Sequence, residues 1–377
     1  MSMAASRDIT FALVLIQSVI VPGVARAQGV FQVSPLFGTA QEYDSNLFST
    51  AFDRQADFIT RVSPGVDSAY RSPVLTMLGH YTLDVERFAN HSELTTTKAR
   101  QRAAVELTYR PRQRLALAAD AELLKTQTPG ELNVETNLTL ARASAQRVAA
   151  HTSITRRLDM VTSGTIDYKF SETRVAGGLD IRSHAATIGV DHHRSSRDAV
   201  SVNYRLHQFS FETVATTSHA LGVGWIYGIT QRASLSVDGG PRVTNGSLAS
   251  DVSASVHYQF KPGDVSLAYA RTQTTVIGLE GVADTQSLAL TAAWKPRPSL
   301  QMRLSPAVYR SAHAPLQADV YQLTINVERR IASELSLDIM VNTNLQHGSF
   351  YTALANATIP RQNVMIRLVA APATRAR

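Results

Sequence analysis

One feature limits the fold more than any other: apolar and polar residues alternate, segment after segment, along most of the chain. In VSASVHYQF at 252–260, Val252, Ala254, Val256, Tyr258 and Phe260 alternate with Ser253, Ser255, His257 and Gln259. Val265, Leu267 and Tyr269 repeat the pattern. So do Val200, Val202, Tyr204 and Leu206 against Ser201, Asn203 and Arg205, and Tyr321, Leu323, Ile325 and Val327 against Gln322, Thr324, Asn326 and Glu328. Val364, Ile366 and Leu368 close the series. Successive side chains of a strand point to opposite faces, so each segment has one apolar and one polar face.

The breaks between segments have their own order. Short ones carry Pro or Arg: RSP at 71–73, RPRQR at 110–114, KPG at 261–263 and KPRPS at 295–299. Longer polar ones fall at 89–98, 125–138, 242–250 and 345–359. Pro and Gly interrupt strand pairing and belong at such corners. The segments give about eighteen strands: 30–41, 57–69, 74–88, 99–109, 115–124, 139–155, 160–171, 181–192, 198–211, 216–228, 231–241, 251–260, 264–275, 284–294, 299–310, 317–329, 333–345 and 361–370. Short turns on one rim and long loops on the other describe a transmembrane antiparallel β-barrel, with the short turns periplasmic. An even strand number returns both ends to the periplasmic side. A soluble β-sandwich or β-helix shares the periodicity, because there the apolar face meets a second sheet. Strand number, strand length and aromatics near the ends of apolar runs (Tyr109, Phe170, Tyr258, Phe260, Trp294) favour the membrane.

Residues 1–27, MSMAASRDITFALVLIQSVIVPGVARA, combine Arg7, an apolar run and a small-x-small end at Ala25-Arg26-Ala27. They read as a secretory signal peptide, leaving 28–377 as the barrel. No later stretch is apolar for the roughly 18 residues a membrane helix needs. The 377 residues include no cysteine, so order comes without disulfides. In a membrane barrel the net charge of +7 does not require a nucleic-acid partner, and no zinc finger, RNP-like or helix-turn-helix pattern occurs.

A ring of about eighteen strands encloses an aqueous lumen. Parity places Asp84 and Glu86 (LGHYTLDVERF), Glu106 (AAVELTYR), Arg205 (VSVNYRLHQF) and Glu328 (TINVERR) on the polar face, as lumen-facing candidates. Such groups tune which solute passes, or simply solvate the wall and bridge to one another. Neither catalytic residues nor a cofactor are expected. GxSxG, a Walker loop, a dinucleotide fingerprint and HExxH are all missing. The adjacent His192 and His193 of DHHR point to opposite faces, which disfavours a shared metal even with His184 nearby.

Three stretches stand apart. In QEYDSNLFST at 41–50, Asp44, Ser45 and Asn46 are turn formers, and Tyr43 and Phe48 flank them as expected interfacial anchors at the outer rim. An oxygen-rich calcium or sugar site is the alternative reading. RTQTTVIGLEGVADTQS at 271–287 puts apolar residues at a loop tip, and VETNLTLARASAQRVAAH at 134–151 alternates poorly. Each reads either as an ordinary loop or as an element folded inward to narrow the lumen.

The first of these stretches, continued through DRQADFITRVSPGVDSAYRSPVLTMLGHYTLDVERFANH at 53–91, resembles the BBP2-like outer-membrane β-barrels encoded near bacterial exopolysaccharide genes. Tyr43, Asp44, Asn46, Leu47 and Phe48 resemble the family's YDxNLF start. Asp57, Phe58, Ser63, Pro64 and Gly65 match its DF…SPG strand, and Arg271, Thr272, Gln273, Thr274, Gly278 and Thr285 its later block. The ending RLVAAPATRAR departs from the usual barrel in not finishing on an aromatic. The resemblance implies a porin-like passage for secreted polysaccharide, with no catalytic residues to carry over. The expected function is therefore an outer-membrane channel for a hydrophilic polymer, the alternative a structural or adhesion barrel with an occluded lumen. Expected partners are outer-membrane lipid, the polysaccharide, periplasmic export components and the barrel assembly machinery.

Overall fold

A computed structural model describes residues 29–350 and 357–371; the expected signal peptide lies outside them. Eighteen strands follow in order: β1 (Val30–Asp44), β2 (Asp57–Arg71), β3 (Leu75–Phe88), β4 (Thr96–Arg112), β5 (Leu115–Thr126), β6 (Ala145–Arg157), β7 (Thr162–Val175), β8 (Ile181–His193) and β9 (Asp198–Ser210). Then come β10 (Ala215–Gly228), β11 (Ala233–Thr244), β12 (Ser247–Phe260), β13 (Gly263–Thr275), β14 (Val282–Arg297), β15 (Leu300–His313), β16 (Leu316–Ala332), β17 (Leu335–Gly348) and β18 (Ala357–Ala370). Each strand pairs with its chain neighbours, and β18 pairs back onto β1, so the 18-stranded sheet is a closed antiparallel ring. Closure removes the sheet edges that hydrocarbon could not satisfy. The last strand completes it without a terminal aromatic.

Register carries each face around the ring. Outward rungs run Val190–Val202–Val223 and Val256–Leu267–Leu290. A third runs Leu304–Ile325–Val341–Val364. The outward residues are open to the surroundings, Val202 at 50%, Val223 at 56% and Ile366 at 52%. An apolar belt of this kind exceeds the few hundred Å² that soluble proteins leave uncovered. Trp225, Tyr227, Tyr258 and Trp294 sit on the outward face near the short-turn rim, as an interfacial girdle requires.

The two rims differ as the breaks imply. The rim holding Val30 and Ala370 is joined by short turns such as 113–114, 261–262 and 298–299. The opposite rim carries 45–56, 89–95 and 127–144. Two sequence expectations need correction. Residues 242–250 are not a long break: strands run through them, and only Asn245 (φ 47°) and Gly246 (φ 84°) turn. Both angles are left-handed, which an Asn-Gly pair accepts in a two-residue hairpin. Residues 139–144 are not strand; β6 begins at Ala145.

Candidate functional site: a strapped, charged lumen

The β5–β6 connection, 127–144, crosses from its own wall to β16 and β17. Its polar residues fix the path. Asn137, at φ 53°, receives the backbone carbonyl of Asn133 on its N–H at 2.7 Å and accepts on its own carbonyl from Asn344 Nδ2 at 3.2 Å. The Asn137 side-chain amide donates to Gln322. Thr139 donates from its N–H (2.9 Å) and hydroxyl (3.1 Å) to Gln346 Oε1, while Gln346 Nε2 donates to the Phe350 carbonyl at 3.1 Å. Leu138 is 0% exposed, packed among Val276, Ala318, Val320 and Phe350. Leu132 joins Ala145 and Ile277, with Leu140 and Val175 against them. Leu138 and Leu140 thus serve two separate clusters.

The loop tip VIGLEG meets this strap. Val276 and Ile277 turn inward, nearly without exposure, and the Ile277 N–H donates to Asn133 Oδ1 at 3.2 Å. Gly278, at φ 78°, supplies the left-handed turn that lets two branched residues face the lumen. Ile181, Phe209 and Phe211, with Val282 beside them, pack on the same side of the mouth. The apolar loops therefore fill the mouth toward β7–β14, and the opening is displaced toward β1–β4 and β16–β18.

That displaced opening is charged. Arg61 sits between Glu42 (3.0 Å) and Glu86 (2.7 Å), with Asp84 at 3.9 Å. From the strap, Arg142 reaches Glu86 at 3.3 Å and lies over the Phe88 ring at 4.9 Å. Burial pushes the Arg142 guanidinium below the usual arginine value, against the pull of Glu86. Arg100 on β4 pairs with Glu131 on the strap at 3.1 Å. Arg361 on β18 holds Asp44 at 2.6 Å. Glu42, Arg61, Asp84, Arg100, Glu131, Arg142 and Arg361 border a cavity of about 840 Å³, with Glu86 and Asp44 just behind them as partners. Positive and negative groups alternate there, so the field is strong locally but nearly balanced overall.

The candidates named from parity fall in three places. Asp84 and Glu86 belong to this cluster, and Glu328 lines the same cavity lower down. Glu106 lies across from Asp120 and lines a smaller cavity of about 350 Å³ with Asp67 and His80. Arg205 is on the far wall, paired with Asp238 at 2.9 Å. Parity alone missed Arg61 and Glu42, although both lie on polar faces of their strands. Arg142 carries no periodic signal, being in the strap.

The YDSNLF stretch bridges the seam between the first and last strands. Asn46 N–H donates to Asp44 Oδ1 at 3.0 Å, closing an Asx turn. Asn46 Nδ2 donates to the carbonyls of Thr50 (2.8 Å) and Pro360 (2.9 Å). Ser45 exchanges hydrogen bonds with Gln362. Tyr43 lies against outward Phe58, with ring centres 5.1 Å apart. Phe48 is not an interfacial anchor: it packs against buried Leu47, Ile59 and Phe88, edge-on to His91. Among the described residues no group of three His, Asp or Glu is placed to hold a metal. His192 instead meets Thr162 and His184 meets Tyr168.

A closed ring with an apolar outer belt, an aromatic girdle and a polar lumen is a bacterial outer-membrane β-barrel. No family model and no curated protein matches the chain. Among solved structures it is similar to Pseudomonas aeruginosa OccK7 (OpdD), at 12% identity over 90% of this chain and 98% of that one, TM-score 0.49. It is similar also to Pseudomonas aeruginosa OpdQ, at 10% identity over 91% and 98%, TM-score 0.48. The outer membrane channel DcaP of Acinetobacter baumannii gives 12% identity over 90% and 97%, TM-score 0.44. At these levels the functional reading depends on the chain's own geometry.

Proposed function

We propose that the barrel is a porin-like channel passing a hydrophilic polymer, an exopolysaccharide, across the outer membrane. The observation that carries this reading is the charged cavity of about 840 Å³ beside the strap, inside a ring wide enough for water. Arginine and carboxylate pairs there offer donors and acceptors in turn, which suits hydroxyl-rich solutes better than lone ions. Lipid is its solvent; periplasmic export components would deliver the chain, and the assembly machinery would insert the barrel.

A second reading, an occluded structural or adhesion barrel, is favoured by how firmly the strap is seated: Leu138 is 0% exposed and Gln346 is hydrogen-bonded through both its side-chain oxygen and its nitrogen. Planar-bilayer conductance decides. Reproducible open channels, enlarged when Leu138→Ser and Thr139→Ala unseat the strap, support passage. A wild type that never conducts, joined by a strap variant that does, supports occlusion.

A further inference from the structure

We infer that the outer wall at the short-turn rim carries two equivalent sites, each for the headgroup of an anionic phospholipid of the periplasmic leaflet. They are independent of what the lumen passes. YRPRQRL at 109–115 and WKPRPSL at 294–300 share one pattern: an aromatic, a cation, Pro-Arg, two spacers and a leucine. The chain folds both alike. The register shifts between Tyr109 and Arg112, and again between Trp294 and Arg297, which sets Arg112 opposite Leu115 and Arg297 opposite Leu300. On the next strand Leu115 meets Arg156, and Leu300 meets Arg329. Both leucines share the outward parity of Leu117 and Leu304, so each stands between two outward, exposed arginines. Two strand spacings hold the arginines of a pair roughly 10 Å apart.

The backbone repeats the likeness. The Arg157 N–H donates to the Arg114 carbonyl at 2.9 Å, and the Arg330 N–H to the Ser299 carbonyl at 2.8 Å. These bonds tie the two turns of each site together. No acid shares either rung, which continue to Gly164 and Leu337. Among the described residues none of the four outward arginines has an ion pair, whereas Arg61, Arg100, Arg142 and Arg361 of the upper lumen are paired. Nearby Asp159 is engaged, its Oδ1 accepting from the N–H groups of Val161 (2.8 Å) and Thr162 (2.7 Å). Toward mid-membrane the next rungs are apolar: Tyr109, Leu117 and Ile154 in one site, Trp294, Met302 and Val327 in the other. A phosphodiester held by two guanidinium groups would lay its acyl chains on that surface. A zwitterionic headgroup would bring an ammonium against two cations with no acid in the rung to receive it. The rims agree on the leaflet. Each short turn carries an arginine or lysine within it or on the strand end entering it, whereas the opposite-rim loops with Glu93, Asp180, Glu212 and Glu280 hold neither.

The test titrates the full chain, folded in a nonionic detergent, with fluorescent phosphatidylglycerol and, separately, fluorescent phosphatidylcholine. Phosphatidylglycerol should saturate at about two equivalents and release as salt rises; phosphatidylcholine should bind at least about tenfold more weakly. Arg112→Gln with Arg156→Gln should remove one equivalent, and adding Arg297→Gln with Arg329→Gln should remove both, with heat-modifiable migration preserved. The control is Arg157→Gln with Arg330→Gln. These neighbours pair with Ser163 and Ser336 on the lumen side, so the same charge is lost from the other face and binding should stay as in wild type. Equal binding of the two lipids, or two equivalents retained by the folded quadruple variant, overturns the sites. A control that loses as much as the outward pairs marks a diffuse field and overturns them also. Displacement of the lipid by an equal concentration of glycerol phosphate does the same, because it marks a site for free phosphate. Should the quadruple variant fail to fold, the two pair variants decide, each expected to keep one equivalent.

Discussion

Arg61 is the residue on which the upper lumen depends. It faces three carboxylates, Glu42, Asp84 and Glu86, and its side chain is only 17% exposed. Removing one member of a buried charge group leaves the others uncompensated, at a cost of about 3–5 kcal/mol. Arg61→Ala should therefore lower the urea midpoint of the folded barrel strongly. Arg205→Ala, which strands only Asp238 in a more open setting, should cost clearly less. Equal midpoints would show that the cluster is solvated and contributes little. Asn46 offers a second residue-scale test, because its amide ties the first rim loop to the Pro360 carbonyl. Asn46→Ala should destabilise by about 1–3 kcal/mol, as expected when buried hydrogen bonds lose a partner. Asn90→Ala, whose side chain makes no such tie, serves as its control in the same urea titration.

At the scale of elements, the strands were legible and the inward loops were half legible. Period two is imposed by backbone geometry, so Val256 and Ser255 declare their faces in any context. Val256→Arg should impair insertion, at about 2–4 kcal/mol for a charge near mid-bilayer. Ser255→Arg, on the lumen face, should assemble nearly as wild type; folded yield in lipid vesicles reads both. The strap shows why the rest was harder. Leu138 and Leu140 are apolar because each fills a separate cluster built with residues far along the chain, a tertiary cause that no local period marks. Likewise Phe48 looked like an anchor because an aromatic beside a turn has the same sequence in either role. Its burial against Leu47 and Phe88 is set by residues far along the chain. The polar stretch 242–250 misled in the opposite sense: Arg242 and Asp251 are polar because they pair with each other at 2.5 Å inside the wall. The paired arginines of the lumen were readable as polar-face residues, but their partners were not, since partnership depends on register. Because the chain has no cysteine, Asn137→Cys with Gln322→Cys can be joined by a short, reducible thiol-reactive crosslinker between strap and wall. Crosslinking should hold the conductance low and quiet, and cleavage of the linker should restore wild-type fluctuation. Unchanged current noise would mean the strap does not move in the open channel.

The whole molecule is electrically uneven along its axis. Among the described residues, arginines without an ion pair gather at the short-turn rim, while paired charges occupy the upper lumen. Fixed charge at one mouth concentrates counter-ions there, so the current–voltage curve should be asymmetric in dilute salt. It should become symmetric near 1 M salt, where the screening length is about 3 Å. The same ring must stay with membranes and require detergent for release. Recovery as a freely soluble periplasmic protein would contradict the outward apolar belt.

The strap also dictates an order of events during biogenesis. Its seats, Gln322, Asn344 and Gln346, are made 185 or 207 residues after the segments they hold. Until those late strands arrive, the strap has no wall to rest on, and the Asp44–Arg361 clasp, 317 residues apart, is unmade. The lumen therefore cannot take its final narrowed form before β16 and β17 are in place. Chains stalled before β17 should leak small solutes that the finished molecule retains.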